Sequence, residues 1–243
     1  MTRIMNESAE NSKRVRGPQP RSARAREQIF ESALALFREK GYDSTTMREV
    51  AAGAGVAVGA TYYYFKSKEE IVHEYYVRLE AEATEHAHSL RGEAKPFKVR
   101  VKEAIEFKLG QLAPDRSLAK VLARIAADPD NQLSPFSYET RDIRHRTISM
   151  LGSLCEESDV QCGKDLRPLL PRLVWLLYMG AIFFWVQDRS PNQRNTHKLV
   201  ELVTGLLDKV LWLSSLPLTG SINRLVSEVI ETIFASFEVG ESH

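Results

Sequence analysis

The sequence predicts an all-helical fold. Three observations carry that expectation. Apolar residues recur at helical spacing along most of the chain after residue 21, as Ile29, Ala33, Leu36 and Phe37 do. No run alternates apolar and polar residues, and no Asn-Gly or Asp-Gly turn offers a hairpin. Pro96, Pro114, Pro129, Pro135, Pro168, Pro191 and Pro217 then punctuate the later part at helix-length intervals.

The elements follow in order. Residues 1–20 are polar, carry Pro18 and Pro20, and read as a flexible basic arm with Lys13, Arg14 and Arg16, continued by Arg21. A first helix covers about 22–40 and ends at Gly41, where glycine tolerates the left-handed conformation. Thr46 followed three residues later by Glu49 is a capping box and opens a short helix. Gly53 and Gly55 stop it, and a second short helix runs about 58–64. Ser67 and Glu70 repeat the capping-box spacing and open a long helix to about residue 90. Further helices are expected near 97–110, 116–127, 137–156, 166–187, 194–214 and 219–237. The last carries one apolar stripe through Ile222, Leu225, Val226, Val229, Ile230, Ile233, Phe234 and Phe237.

Composition excludes several classes. The chain has 243 residues and a hydrophobic fraction of 43%, too high for wholesale disorder. Its two cysteines, Cys155 and Cys162, exclude a disulfide scaffold and a Cys-rich zinc site, and fit a reducing cytoplasm. His86 and His88, two apart, point to different faces of a helix and cannot chelate one metal. No phosphate-binding loop, nucleophile elbow or zinc-protease signature is present, so neither a catalytic set nor a cofactor is expected. The opening residues lack the apolar stretch of a secretory signal. The apolar run 173–186 falls about one turn short of the ~18–20 residues that span a bilayer, so a buried helix and no membrane partner are expected. The formal charge of +1 hides an asymmetry. Residues 1–68 hold 12 Lys+Arg against 7 Asp+Glu, while the rest holds 21 against 25. A basic front suits a polyanionic partner.

The segment 46–65, TMREVAAGAGVAVGATYYYF, is a short helix, a glycine turn and a second short helix. A helix-turn-helix of this kind must slot its second helix into a major groove about 12 Å wide. That demands a small residue at the crossing, supplied by Ala51. It also demands a residue free to take positive φ, Gly55, and an apolar plug after it, Val56.

Residues 24–71 resemble the N-terminal domain of the TetR family of bacterial transcriptional regulators. The matches are Ile29, Ala33, Phe37, Gly41, Tyr42, Thr46, Val50, Ala51, Gly55, Val56, Gly59, Tyr62, Tyr64, Phe65, Lys66, Ser67 and Lys68. The resemblance implies a helix-turn-helix DNA-binding domain over 21–68 and a helical effector-binding and dimerisation domain over 69–243. It implies a homodimeric repressor in the cytoplasm, released from a palindromic double-stranded DNA operator by a small-molecule effector. Within the motif it assigns Thr46, Arg48, Val58, Gly59, Ala60, Tyr62, Tyr63, Tyr64 and Lys68 to DNA. Arg48 has the donors for a guanine edge or a phosphate. Val58, Gly59 and Ala60 form the groove-facing front, and Tyr62 and Tyr63 stand where phosphate-contacting aromatics do. Tyr64 suits either contact or packing, and Phe65 belongs to the core. Two residues depart from the family pattern. Ala57 replaces a Ser or Thr cap, and Thr61 stands where an apolar residue is usual. In the second domain, Trp175, Tyr178, Met179 and Phe183 suit either an effector pocket or core packing. The helices at 166–187 and 194–214 would form a four-helix bundle with their symmetry mates. A rival reading, a helical small-molecule binder or enzyme that no longer uses its first domain on DNA, draws on the uncapped second helix and the near-neutral total charge.

Overall fold

The computed structural model describes residues 21–89, 93, 95–128 and 131–238. The arm expected over 1–20 lies outside them. The described residues hold ten α-helices and no strand: α1 (Arg21–Lys40), α2 (Met47–Gly53), α3 (Val58–Tyr64), α4 (Lys68–Ser89), α5 (Phe97–Leu112), α6 (Arg116–Ile125), α7 (Arg141–Glu156), α8 (Leu170–Gln187), α9 (Arg194–Ser214) and α10 (Gly220–Glu238).

The first three helices pack as a unit. α1 buries Ile29, Phe30, Ala33, Leu34 and Phe37 on one face. Gly41 leaves the helix at φ +90°, a conformation that side chains resist. At the start of α2 the Thr46 hydroxyl accepts from Glu49 N at 3.3 Å, and Glu49 Oε2 accepts from Thr46 N at 2.8 Å, completing the capping box. Ala51 is buried at the crossing, Gly55 sits at φ +67°, and Val56 N donates to Ala51 O at 3.0 Å. α2 also lies hard against α1. A Cβ at Gly53 would fall 2.4 Å from Ser32 Oγ, and that hydroxyl donates to Val50 O at 2.9 Å.

α4 runs from this unit into the body. It buries Ile71, Val72 and Tyr75 first, then Leu79, Ala83 and Ala87. α8 is the central helix of the body and packs against α5, α6, α7 and α9. The helical stretch 167–187 is long and apolar enough to cross a membrane by length and composition. Here Val174, Trp175, Tyr178, Ala181, Trp185 and Val186 are buried within the chain. The Trp175 ring meets Phe136 and Phe234 edge-on, each at 5.7 Å.

Five expectations about elements are corrected. The helix expected at 137 begins at Arg141, because Thr140 Oγ1 donates to Ser134 O at 2.6 Å and Arg144 Nη1 to Pro135 O at 2.9 Å, holding 134–140 as turns. The helix expected at 166 starts with a 3-10 turn over Arg167–Leu169, and α6 stops at Ile125. The Ser67 box is half formed. Glu70 N donates to Ser67 Oγ at 3.4 Å, but the Glu70 carboxylate accepts from Lys66 N at 2.7 Å instead of from Ser67 N. Finally, the α10 stripe is split: Ile230 and Phe234 are buried, whereas Ile222, Leu225 and Val229 face outward.

Candidate nucleic-acid interface

The two short helices present one outward face. On α3, Val58, Gly59 and Tyr62 are exposed, Ala60 is half-buried, and Tyr63 reaches 81% exposure. Thr61, on the opposite side, is fully buried and holds α3 to α1 and α2 with Phe65. Tyr64 is half-buried against the core, its ring edge-on to Tyr63 at 5.0 Å. Arg48 is exposed on the first turn of α2, with no ion pair among the described residues. Thr46 lies beside it, its hydroxyl engaged with Glu49. Lys40 pairs with the same Glu49. Lys40 and the capping bonds from Thr46 hold the Glu49 carboxyl down to about 2, so Glu49 is charged at neutral pH. Lys68 is half-buried. Its ammonium donates to Tyr42 O at 2.8 Å and lies 4.5 Å over the Tyr42 ring. Any phosphate contact by Lys68 would share these bonds. α3 carries no side-chain cap at Ala57.

Trp175, Tyr178, Met179 and Phe183 come together on one cavity of about 150 Å³ between α4, α5, α6, α7 and α8. Its walls are chiefly apolar, with Leu79, Leu112, Leu122 and Ile182 among them. A few polar groups break that surface. Glu80 Oε1 accepts from Thr84 Oγ1 at 2.8 Å. Lys108 Nζ donates to Leu79 O at 3.0 Å, and burial pushes its ammonium down to about 8 against the pull of Glu80 and Glu82. The Tyr178 hydroxyl is buried without a partner among the described residues, and burial raises its pKa.

Ion pairs tie the helix-turn-helix unit to this body. Arg26 clamps Glu74 through two bonds of 3.0 and 2.9 Å, and Arg78 clamps Glu27 at 2.8 and 2.7 Å. Arg26, with help from Arg78, holds the Glu74 carboxyl down to about 2. Arg38, at the end of α1, donates to Asp115, which heads α6 and also accepts from Tyr75 at 3.0 Å. Arg116, next in the chain, donates to Trp185 O at 3.0 Å at the end of α8.

Residues 29–75 match the family described as bacterial regulatory proteins, tetR family. Residues 100–228, more than half of the chain, match the tetracyclin repressor-like C-terminal domain. The chain belongs to the TetR family. Its curated relatives in the TetR family include the repressor KstR2 of Mycobacterium tuberculosis, 47% identical over 49 residues. That match spans 20% of this chain and 24% of the relative, about a quarter of its length. YhgD, an HTH-type regulator of Bacillus subtilis, is 27% identical over 183 residues, covering 74% of this chain and 91% of its own. Among solved structures, a TetR regulator from Nitrosomonas europaea shares the fold at TM-score 0.58 and 17% identity, covering 74% of this chain and 96% of that one. FadR from Bacillus subtilis, solved with stearoyl-CoA, shares it at TM-score 0.57 and 22% identity, covering 73% and 96%.

Sequence reasoning missed the polar lining of the cavity and the Arg38–Asp115–Tyr75 joint in this TetR chain. The joint's members lie 40 and 77 residues apart, and no local pattern announces such pairs. Lys108 left a signal: the heptad around it is apolar at Val101, Ile105, Leu109 and Leu112, and a lysine on that buried side breaks the pattern.

Proposed function

We propose that this protein is a sequence-specific DNA-binding repressor that acts as a homodimer on a palindromic operator and is released by a small-molecule effector. The observation that carries the DNA reading is the exposed face of α3, with Tyr62 and Tyr63 beside Arg48 on a two-helix unit whose other side is fully packed. Val58, Gly59 and Ala60 let the α3 backbone approach base edges. Arg48, Thr46, Tyr62, Tyr63 and Lys68 supply donors to bases or phosphates. Tyr64 adds support from behind. The domain limits that fit this reading are 21–68 for DNA and 69–243 for effector and partner.

The dimer reading rests on apolar faces that one chain leaves open. Leu202, Leu206, Val210 and Leu213 share one face of α9, and Leu206 is 60% exposed. Exposed Phe184 and Gly180 on α8 lie on a similar face, and nothing lies within 4 Å of a Cβ built at Gly180. A contiguous apolar patch of this kind marks an interface. Two α3 helices would then enter successive major grooves about 34–36 Å apart. An effector in the 150 Å³ cavity would favour a different spacing of the two heads.

The test is fluorescence anisotropy with the duplex upstream of the chain's own gene, against scrambled DNA, over a salt series. Selective binding that weakens steeply with salt is expected. Arg48→Ala should weaken it tenfold or more, about 1–3 kcal/mol. Leu206→Glu should give monomers by light scattering and abolish tight binding. Weak, salt-insensitive binding to both duplexes would favour the rival, a ligand-binding protein that no longer uses its first domain on DNA.

A further inference from the structure

The cavity between α4, α5, α6, α7 and α8 holds a buried cation that feels the charges of Glu80 and Glu82 but has no direct ion-pair partner among the described residues. Lys108 is more than nine-tenths buried, and no carboxylate lies within ion-pair distance of it among the described residues. One carbonyl, Leu79 O, takes one of its three N–H donors, and Gln111 Nε2 already serves that carbonyl at 3.2 Å. The Tyr178 hydroxyl, 3% exposed, lines the same cavity with no partner among the described residues. A buried donor left unmade is costly, and a buried ammonium more so. The other charges on the wall are Arg144, which donates to Pro135 O and Ser137 O, and Glu80, bonded to Thr84.

We infer that the cavity takes a small monocarboxylic acid with a compact apolar or aromatic body, its carboxylate received by the Lys108 ammonium and the Tyr178 hydroxyl. The inference rests on the reading of this cavity as the effector site. The carboxylate supplies the direct ion-pair partner that Lys108 lacks among the described residues and accepts a hydrogen bond from the Tyr178 hydroxyl. Trp175, Phe183 and Leu122 enclose the body. A cavity of about 150 Å³ has room for a body on the scale of a benzene ring. The same groups work against an amine, which would meet Lys108 at close range. They leave an alcohol with hydrogen bonds but no charge compensation.

The test uses two matched series on the full chain, followed by calorimetry: phenylacetate, 2-phenylethanol and 2-phenylethylamine, then hexanoate, hexan-1-ol and hexylamine. A carboxylate is expected to bind at least about tenfold tighter than its neutral and cationic congeners, the weight of one charge-assisted hydrogen bond. Lys108→Met should erase that preference, leaving the acid no tighter than the alcohol, because a buried carboxylate without a cation is costly. Tyr178→Phe should weaken the acid about tenfold and change the alcohol less. An alcohol or amine that binds as well as the acid, or a preference that survives in Lys108→Met, would overturn the carboxylate assignment and leave the cavity as an effector site. Binding by no member of either series would overturn both.

Discussion

Thr61 buries a hydroxyl that has no partner among the described residues. Its methyl fills space that an apolar side chain fills equally well, so the hydroxyl contributes only desolvation. Thr61→Val is therefore expected to stabilise the chain by about 1 kcal/mol, read from chemical denaturation. Lys108 poses the charged version of the same problem. Its pKa falls from 10.5 to about 8 because burial disfavours the cation. Between these values the unfolded chain holds a proton that the folded chain has released. Stability from this group therefore rises with pH through that window. Below it the buried charge costs on the order of 3 kcal/mol. Lys108→Met should accordingly be more stable than the parent at neutral pH. The advantage should shrink as pH climbs from about 8 toward 10.5. An advantage that stays constant over that range would show that burial does not penalise the Lys108 charge.

α3 is the element whose own sequence holds it least. Ala57 already has the extended backbone of an N-cap, φ −66° and ψ 146°, but no side chain to accept from the first turn. Ala57→Ser should add that bond at no conformational cost, stabilising the chain by roughly 0.5–1 kcal/mol. The Gly59 and Ala60 amides should then exchange more slowly by NMR, and unchanged exchange would show that the cap does not form. The same local logic explains how much of the fold could be read in advance. α3 and α9 begin and end where the sequence placed them, because Gly53, Gly55 and Pro191 act within a few residues. The start of α7 could not be read, since the segment before it is held as turns by Arg144 and the Thr140 hydroxyl reaching back to carbonyls at 134–137. The outward half of α10 could not be read either. Ile222, Leu225 and Val229 continue the stripe of Ile230 and Phe234, and periodicity alone does not say which neighbour covers each part. For the site, the motif spacing singled out Arg48, Tyr62 and Tyr63, which the structure leaves exposed, and Tyr64, which it half-buries against the core. It could not tell that Lys68 is already bonded to Tyr42.

In the whole molecule, α4 and a set of ion pairs join the helix-turn-helix unit to the body that holds the cavity. Asp115 sits where they meet. It heads α6, whose Ala119, Leu122 and Ala123 line the cavity, and it holds Arg38 of α1 and Tyr75 of α4. Its neighbour Arg116 holds the end of α8, another cavity wall. A shift of α6 against α8 would reach α1 through this charged, hydrogen-bonded joint. The Asp115 carboxylate is almost wholly buried, but the Arg38 side chain is 43% exposed, so water screens part of the attraction. A double-mutant cycle on stability with Arg38→Ala and Asp115→Ala should therefore return about 1–2 kcal/mol, not the 3–5 of a fully buried pair. The consequence for DNA follows from geometry. Asp115 is buried inside the body, so its loss removes no phosphate contact. It loosens the angle at which α1 carries α2 and α3. Asp115→Ala should weaken operator binding several-fold while leaving the slope of affinity against salt unchanged, because that slope counts phosphates neutralised. A shallower slope would mean that the variant has lost contacts at the DNA face itself. The joint would then support the fold of the reading unit instead of setting its angle.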